Sequence, residues 1–173
     1  MLFGAHAFIW AGEWTPEGAQ KAIGGAAEAG LEAPVLCGVL YAHLGTLTGR
    51  PPEEEELEVV ARVLKNVARY ASERGVSLGV EAVNRYETHL INLAEQADAM
   101  LDRVGEPNVF VHLDTYHMNI EEKGFYEPIV ATGPRMHYIH LSESDRGTPG
   151  TGNVHWDEVF RGLKAIDFDG GTW

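Results

Sequence analysis

The feature that most constrains this chain is an alternation, repeated along its length, of short apolar runs and longer segments with helical periodicity. Residues 2–7, 35–40, 76–83, 109–113 and 136–141 are runs of the buried-strand type. Between them lie helix signals. Thr15-Pro16-Glu17 supplies an N-cap, a proline at the first helical position and an early acid, opening a helix that runs to about Gly30. Pro51 and Pro52 and four successive acids lead into Leu57, Val60, Ala61, Leu64, Val67, Ala68 and Ala71, the stripe of an amphipathic helix closed by Gly75. The acids read as a first turn that complements the helix dipole. Asn92-Leu93-Ala94-Glu95 and Asn119-Ile120-Glu121-Glu122 read as capping boxes, the second opening a helix with Pro128 inside or near its end. A Gly/Pro-rich loop over 147–152 precedes a last helix at about 154–166.

Five strands alternating with about five helices predict an α/β fold with a parallel sheet and covered faces. The 173 residues form a single domain, 1–173, and fall short of the ~250 typical of a closed eight-stranded barrel. The period is that of a (β/α)8 barrel and the length is that of an incomplete one.

Composition narrows the function classes. Thirteen basic residues against 26 acidic ones give a net charge of −13, which argues against a nucleic-acid binder. One cysteine, Cys37, allows no internal disulfide. The N-terminal residues show no signal peptide, and no apolar run approaches the ~20 residues of a membrane span. The expectation is a cytoplasmic protein with no membrane partner.

Ionisable residues recur inside or at the ends of three successive strands: Glu81, Asp114 and His140, 33 and 26 residues apart. That is about one βα unit each, which brings all three to the C-terminal edge of a parallel sheet, where α/β active sites lie. Singly, each has an ordinary explanation: a strand-end Asp caps a helix, and a strand histidine such as His112 or His137 is a satisfied or exposed side chain. Together, two carboxylates and an imidazole suit Mn²⁺, Co²⁺, Mg²⁺ or Zn²⁺.

The sequence around these residues is more specific. The segments from Glu81 through Asn84, Arg85 and Tyr86 to Glu87, from Leu113-Asp114-Thr115-Tyr116-His117 to Glu122, and from His140-Leu141-Ser142-Glu143 to Arg146 closely resemble three signature segments of ketose 3-epimerases. These are the D-tagatose/D-psicose 3-epimerases of the sugar phosphate isomerase/epimerase superfamily, which have xylose-isomerase-like TIM barrels. Gly150-Thr151-Gly152, His155-Trp156-Asp157-Glu158, and Gly4 with Trp10, Glu13 and Trp14 continue the resemblance.

The resemblance implies a metal-dependent isomerase of carbohydrate metabolism that epimerises a free ketose at C3 through an enediolate. Glu81, Asp114 and His140 match metal ligands, for Mn²⁺ or Co²⁺ first and Mg²⁺ as an alternative, and Glu81 also matches one acid/base. Glu87, His117 and Arg146 match residues that hydrogen-bond the sugar hydroxyls. Trp14 matches an aromatic wall of the pocket, and His6 falls where relatives often carry an aromatic. Glu87 and Arg146 could instead pair with each other, Trp14 could pack a helix on the sheet, and Glu121 and Glu122 read as helix caps. Alternatives to the epimerase are a hydroxypyruvate-isomerase-like or inosose-dehydratase-like enzyme, or an inactive remnant that binds metal or sugar.

Two departures from the family pattern stand out. The helix ending near Gly30 runs into a segment resembling the family's fourth strand, so the second and third βα units are absent. The chain also stops at Trp173, where relatives enter an eighth strand bearing a fourth ligand, a Glu that is also the second acid/base. The expectation is a three-ligand site on an open sheet whose exposed edges favour a homo-oligomer.

Overall fold

A computed structural model describes residues 5–6, 16–28, 34–35, 47–169 and 171–172. The remainder of the expected strands 2–7 and 35–40, Cys37 and Trp14 lie outside the described residues, as does the side chain of His6.

Among the described residues the order is β1 (Ala5–His6), α1 (Pro16–Glu28), β2 (Pro34–Val35), α2 (Glu54–Ser72), β3 (Leu78–Glu81), α3 (Ala94–Val104), β4 (Val109–Asp114), α4 (Thr115–Glu121), α5 (Tyr126–Thr132), a short 3-10 helix (Gly133–Arg135), β5 (Met136–His140), α6 (Trp156–Ala165) and β6 (Gly171–Thr172). β1 pairs with β2, and β3-β4-β5-β6 form a second sheet in sequence order. Every pairing is parallel. β6 goes beyond the five strands expected: Gly171 and Thr172 extend beside Tyr138 and Ile139 of β5. Two residues carry no periodicity by which a strand could be read.

Strand alternation divides the second sheet into two faces. Leu78, Val80, Val111, Leu113 and Ile139 are buried in one core with Ala61, Leu64, Ala68 and Ala71 of α2 and Ala97, Met100, Leu101 and Val104 of α3. The register on the other face sets Gly79 beside Phe110, Glu81 beside His112, His112 beside Tyr138, and Asp114 beside His140. The polar and aromatic side chains therefore share the face that does not carry the helices.

Gly79 is glycine because this face is crowded: a Cβ there would lie 2.8 Å from Cε2 of Phe110 and 3.2 Å from Cβ of His112. Gly79→Ala is expected to destabilise the chain by about 1–3 kcal/mol through overpacking, read as a lower urea midpoint with an unchanged slope.

Helix starts differ from the sequence reading in two places. In α3 the side chain that reaches back is Gln96, not Glu95; its Oε1 accepts from the backbone N–H of Asn92 (2.8 Å) and Leu93 (3.1 Å). Asn92 does not cap the helix; its side-chain amide donates to the carbonyls of Val83 and Thr88. The second box fails as a helix start because α4 begins earlier, directly after β4, leaving Asn119 and Glu121 inside it. Glu121 is not a cap, since it takes a two-pronged ion pair from Arg85. Glu122 does cap, but its Oε1 accepts from the N–H of Ala94, at the start of α3 and not of its own helix.

Candidate metal and sugar site

Three strand ends supply the site. Glu81 ends β3, Asp114 ends β4 and His140 ends β5, all at the C-terminal edge of the sheet. Both carboxylates are nearly sealed from solvent, Glu81 at 4% and Asp114 at 1% exposure. Nδ1 of His140 bridges them, 3.7 Å from Oε1 of Glu81 and 3.4 Å from Oδ2 of Asp114. The trio spaced by βα units in the sequence thus converges.

Asp114 takes the capping role that the sequence left open and keeps its other oxygen toward His140. Its Oδ1 accepts from the N–H of Tyr116 (2.8 Å) and so caps α4, while Oδ2 faces the site. His117, one turn into that helix, is brought alongside, with Nε2 3.8 Å from Glu81 Oε1, 4.0 Å from Asp114 Oδ2 and 4.0 Å from Glu87 Oε1. Arg146 completes the rim, 3.9 Å from Glu87 and 3.8 Å from Asp114. Its guanidinium lies 4.0 Å over the Tyr116 ring. Arg146 holds φ of 59°, a left-handed conformation rarely adopted by residues other than glycine, which is how the loop turns this side chain back over the sheet.

Two residues of this site carried no role in the sequence reading. Asn84 is 2% exposed. Its backbone N–H (3.1 Å) and side-chain amide (2.8 Å) both meet Nδ1 of His117, and the same amide donates to Glu87. A backbone N–H can only donate, so Nδ1 accepts and the neutral ring carries its proton on Nε2, which makes the 3.4 Å approach of Arg146 Nη2 to Nε2 a contact and not a hydrogen bond. Glu143 is fully buried. It accepts from the N–H of Ser144, Gly150 and Val154 and from Nε1 of Trp156, at 2.8–2.9 Å. These four bonds anchor the loop that carries Arg146. Its position inside the quoted signature segment was the available signal.

The electrostatics are those of a cation site. Burial disfavours a charged Glu81, but His112, His140 and His117 around it prevail and hold its pKa near 2. Burial also works against a charged His140, and the Asp114 and Glu81 carboxylates overcome it, raising His140 to about 9. Without a metal, His140 carries the charge that two buried carboxylates require. Carboxylates and imidazoles converging at these distances fit a divalent ion, and among the described residues two overlapping donor groups are present: Glu81, His112 and His140, and Glu81, Asp114 and His117.

A group protonated more readily in the folded than the unfolded chain stabilises fully below its unfolded pKa and loses that contribution as pH rises through its folded one. Stability of the metal-free chain from this source is therefore expected to decline between about pH 6.5 and 9, by on the order of 2–3 kcal/mol. Because a bound metal displaces that proton, a saturating metal is expected to flatten the decline, and melts across this window with and without metal check it.

A sheet edge with ionisable residues one βα unit apart is that of an α/β barrel, and the chain belongs to the xylose isomerase-like TIM barrel family, whose model matches residues 9–171. The curated relatives that it matches include ketose 3-epimerases, which are isomerases. It is 34% identical to the L-ribulose 3-epimerase of Methylomonas sp. strain DH-1 over 234 residues, covering 97% of this chain and 82% of that protein. It is 41% identical to the ketose 3-epimerase of Arthrobacter globiformis over 140 residues, covering 81% of this chain and 48% of that one. Among solved structures, an L-ribulose 3-epimerase superposes with a TM-score of 0.83 at 35% identity, over 90% of this chain and 52% of that one. The D-allulose 3-epimerase from Methylomonas sp. in complex with D-allulose gives 0.76 at 32% identity, over 99% and 82%.

The chain thus spans about half the length of two of these relatives. Its alignment with the Methylomonas enzyme is longer than the chain itself, 234 against 173 residues, so part of that enzyme faces no residue here. Among the described residues no helix is long and apolar enough to cross a membrane.

Proposed function

We propose that this chain is a metal-dependent ketose 3-epimerase by descent and chemistry, acting on a free ketose of the L-ribulose or D-psicose kind. The observation that carries the reading is the convergence of buried Glu81 and Asp114 with His140 at one sheet edge, beside His117, Glu87 and Arg146.

Glu81, Asp114 and His140 would hold the ion, Mn²⁺ or Co²⁺ in preference to Mg²⁺ because of the imidazole. When bound, the ion would supply electrostatic stabilisation of the negative charge that develops on the C2 carbonyl oxygen. The chain's own residues do the rest. The Glu81 carboxylate, held ionised, takes the C3 proton, which is acidic because it lies next to a carbonyl. The Nε2 hydrogen of His117 and the Arg146 guanidinium donate to sugar oxygens, and Glu87 accepts from a hydroxyl. Removal of the C3 proton would give an enediolate; a solvent water would protonate the opposite face to give the epimer, and the hydroxide left would take the proton held by Glu81. By resemblance alone, Trp14 would form an aromatic wall for the sugar and His6 would contact it. We include a homo-oligomer in this proposal, checked by sedimentation.

The test follows the proton before the product. Purified chain with Mn²⁺ or Co²⁺ is incubated with L-ribulose or D-psicose in D2O and C3–H is followed by NMR. Loss of the C3 proton signal with appearance of the C3 epimer is the expected result. Exchange without epimer would mean that proton removal survives and return to the opposite face does not. Absence of both exchange and epimer, in a chain that binds the metal, overturns the enzymatic reading and leaves a metal-binding protein.

A further inference from the structure

Beneath the three expected ligands lies a fourth donor with no assigned task. His112, two residues before Asp114 on β4, is fully buried, and neither ring nitrogen has a hydrogen-bond partner. A buried polar group left unpaired costs stability, so a histidine kept here with both nitrogens unpaired calls for an explanation. Its Nδ1 points at Oε2 of Glu81, 3.6 Å away, too long for a hydrogen bond. Its ring meets that of His140 edge-on, with centroids 4.4 Å apart. Donors held ~2.1 Å from a common ion stand roughly 3–3.5 Å from one another. Nδ1 of His112 stands 3.6 Å from Oε2 of Glu81 and Nδ1 of His140 3.7 Å from its Oε1, close to that spacing for an ion that would meet both oxygens of the Glu81 carboxylate.

His117 is the competing candidate, and its tautomer argues against it. Nδ1 accepts from the Asn84 backbone, so Nε2 bears hydrogen and has no lone pair to give. His112 has no such commitment at either nitrogen.

We propose that His112 is a metal ligand of this chain, joining Glu81, Asp114 and His140 to give a centre with two imidazoles and two carboxylates. The inference rests on the metal-centre reading above and sharpens it. A second imidazole moves the site's preference from Mg²⁺ and Mn²⁺ toward Co²⁺, Ni²⁺ and Zn²⁺.

The test uses Co²⁺ and Zn²⁺ with the full chain. His112→Phe keeps a ring against Tyr138 and His140 and removes two unpaired polar atoms, so the metal-free melt should hold or rise. Its affinity for Co²⁺ by titration calorimetry should fall by on the order of 100-fold. X-ray absorption of the Zn²⁺-loaded natural chain should count two imidazoles, and of the variant one. A natural chain with a single imidazole, or a variant that binds Co²⁺ as tightly as the natural chain, overturns the inference and leaves the metal-centre reading standing. A natural chain that binds neither ion overturns both. Should the variant fail to fold, the imidazole count of the natural chain decides alone.

Discussion

Glu81→Gln is expected to reduce C3 proton exchange by at least about a thousandfold and metal affinity by about a hundredfold, with little change in the metal-free fold. The substitution keeps the side chain's shape inside a site only 4% exposed, so packing is undisturbed. What it removes is charge and basicity. An amide does not take a carbon-bound proton, and its oxygen is a poorer ligand than a carboxylate for a hard cation. The same change deletes one of the two carboxylates that hold His140 protonated, so the pKa of His140 should fall from about 9 toward the ordinary histidine value. Three readouts on one variant check the argument: exchange in D2O, calorimetric metal titration and NMR titration of His140. A Glu81→Gln chain that exchanges C3–H at the natural rate would remove Glu81 as the base. One that binds metal normally would remove it as a ligand.

The largest effect on stability is expected at a residue that touches no ligand. Glu143 is completely buried and its two oxygens receive four donors: Oε1 from Ser144 and Val154, Oε2 from Gly150 and Trp156. These hydrogen bonds keep the carboxyl ionised, with its pKa well below the usual carboxylate range in spite of burial. Glu143→Ala strands four donors where water has little access. Glu143→Gln is nearly as severe, because the amide must set its own N–H2 against two N–H donors. We expect either change to lower the melting midpoint by on the order of 10 °C and to loosen the turn in which Arg146 N–H donates to the Glu143 carbonyl. Sugar binding should then weaken even where metal binding survives, since Arg146 sits on this loop and the ligands on the strands. The pH signature has the opposite sign from that of His140. A carboxylate whose folded pKa is depressed contributes above its unfolded value and loses that contribution as pH falls through the folded one, so acid should release this loop. A Glu143→Gln chain that melts like the natural one would show that the loop is held by other contacts.

The sequence rendered some levels of this protein well and others poorly, for identifiable reasons. The helix over Leu57 to Ala71 was legible because a 3.6-residue stripe is a local property; Ala61, Leu64, Ala68 and Ala71 are its buried residues. The strands around Glu81, Asp114 and His140 were legible because continuous apolar runs mark strands covered on both sides. The helix starts were less so. Which acid caps which N-terminus depends on geometry between segments, and Glu122 caps a helix 28 residues upstream. β6 was illegible because two residues have no period and exist as a strand only beside β5.

By itself the sequence determined the parallel α/β scheme, the sheet edge on which the chemistry gathers, the family, and the trio of Glu81, Asp114 and His140. Each follows from patterns repeated along one dimension: apolar periodicity, unit spacing and extended motifs. The tertiary structure alone decided the ionisation and tautomers of those groups. It placed Asn84 against His117 across 33 residues, closed four donors around Glu143, and left His112 buried with both nitrogens unspent. Such properties depend on which polar atoms meet once water is excluded, and only the folded arrangement of several strands settles that.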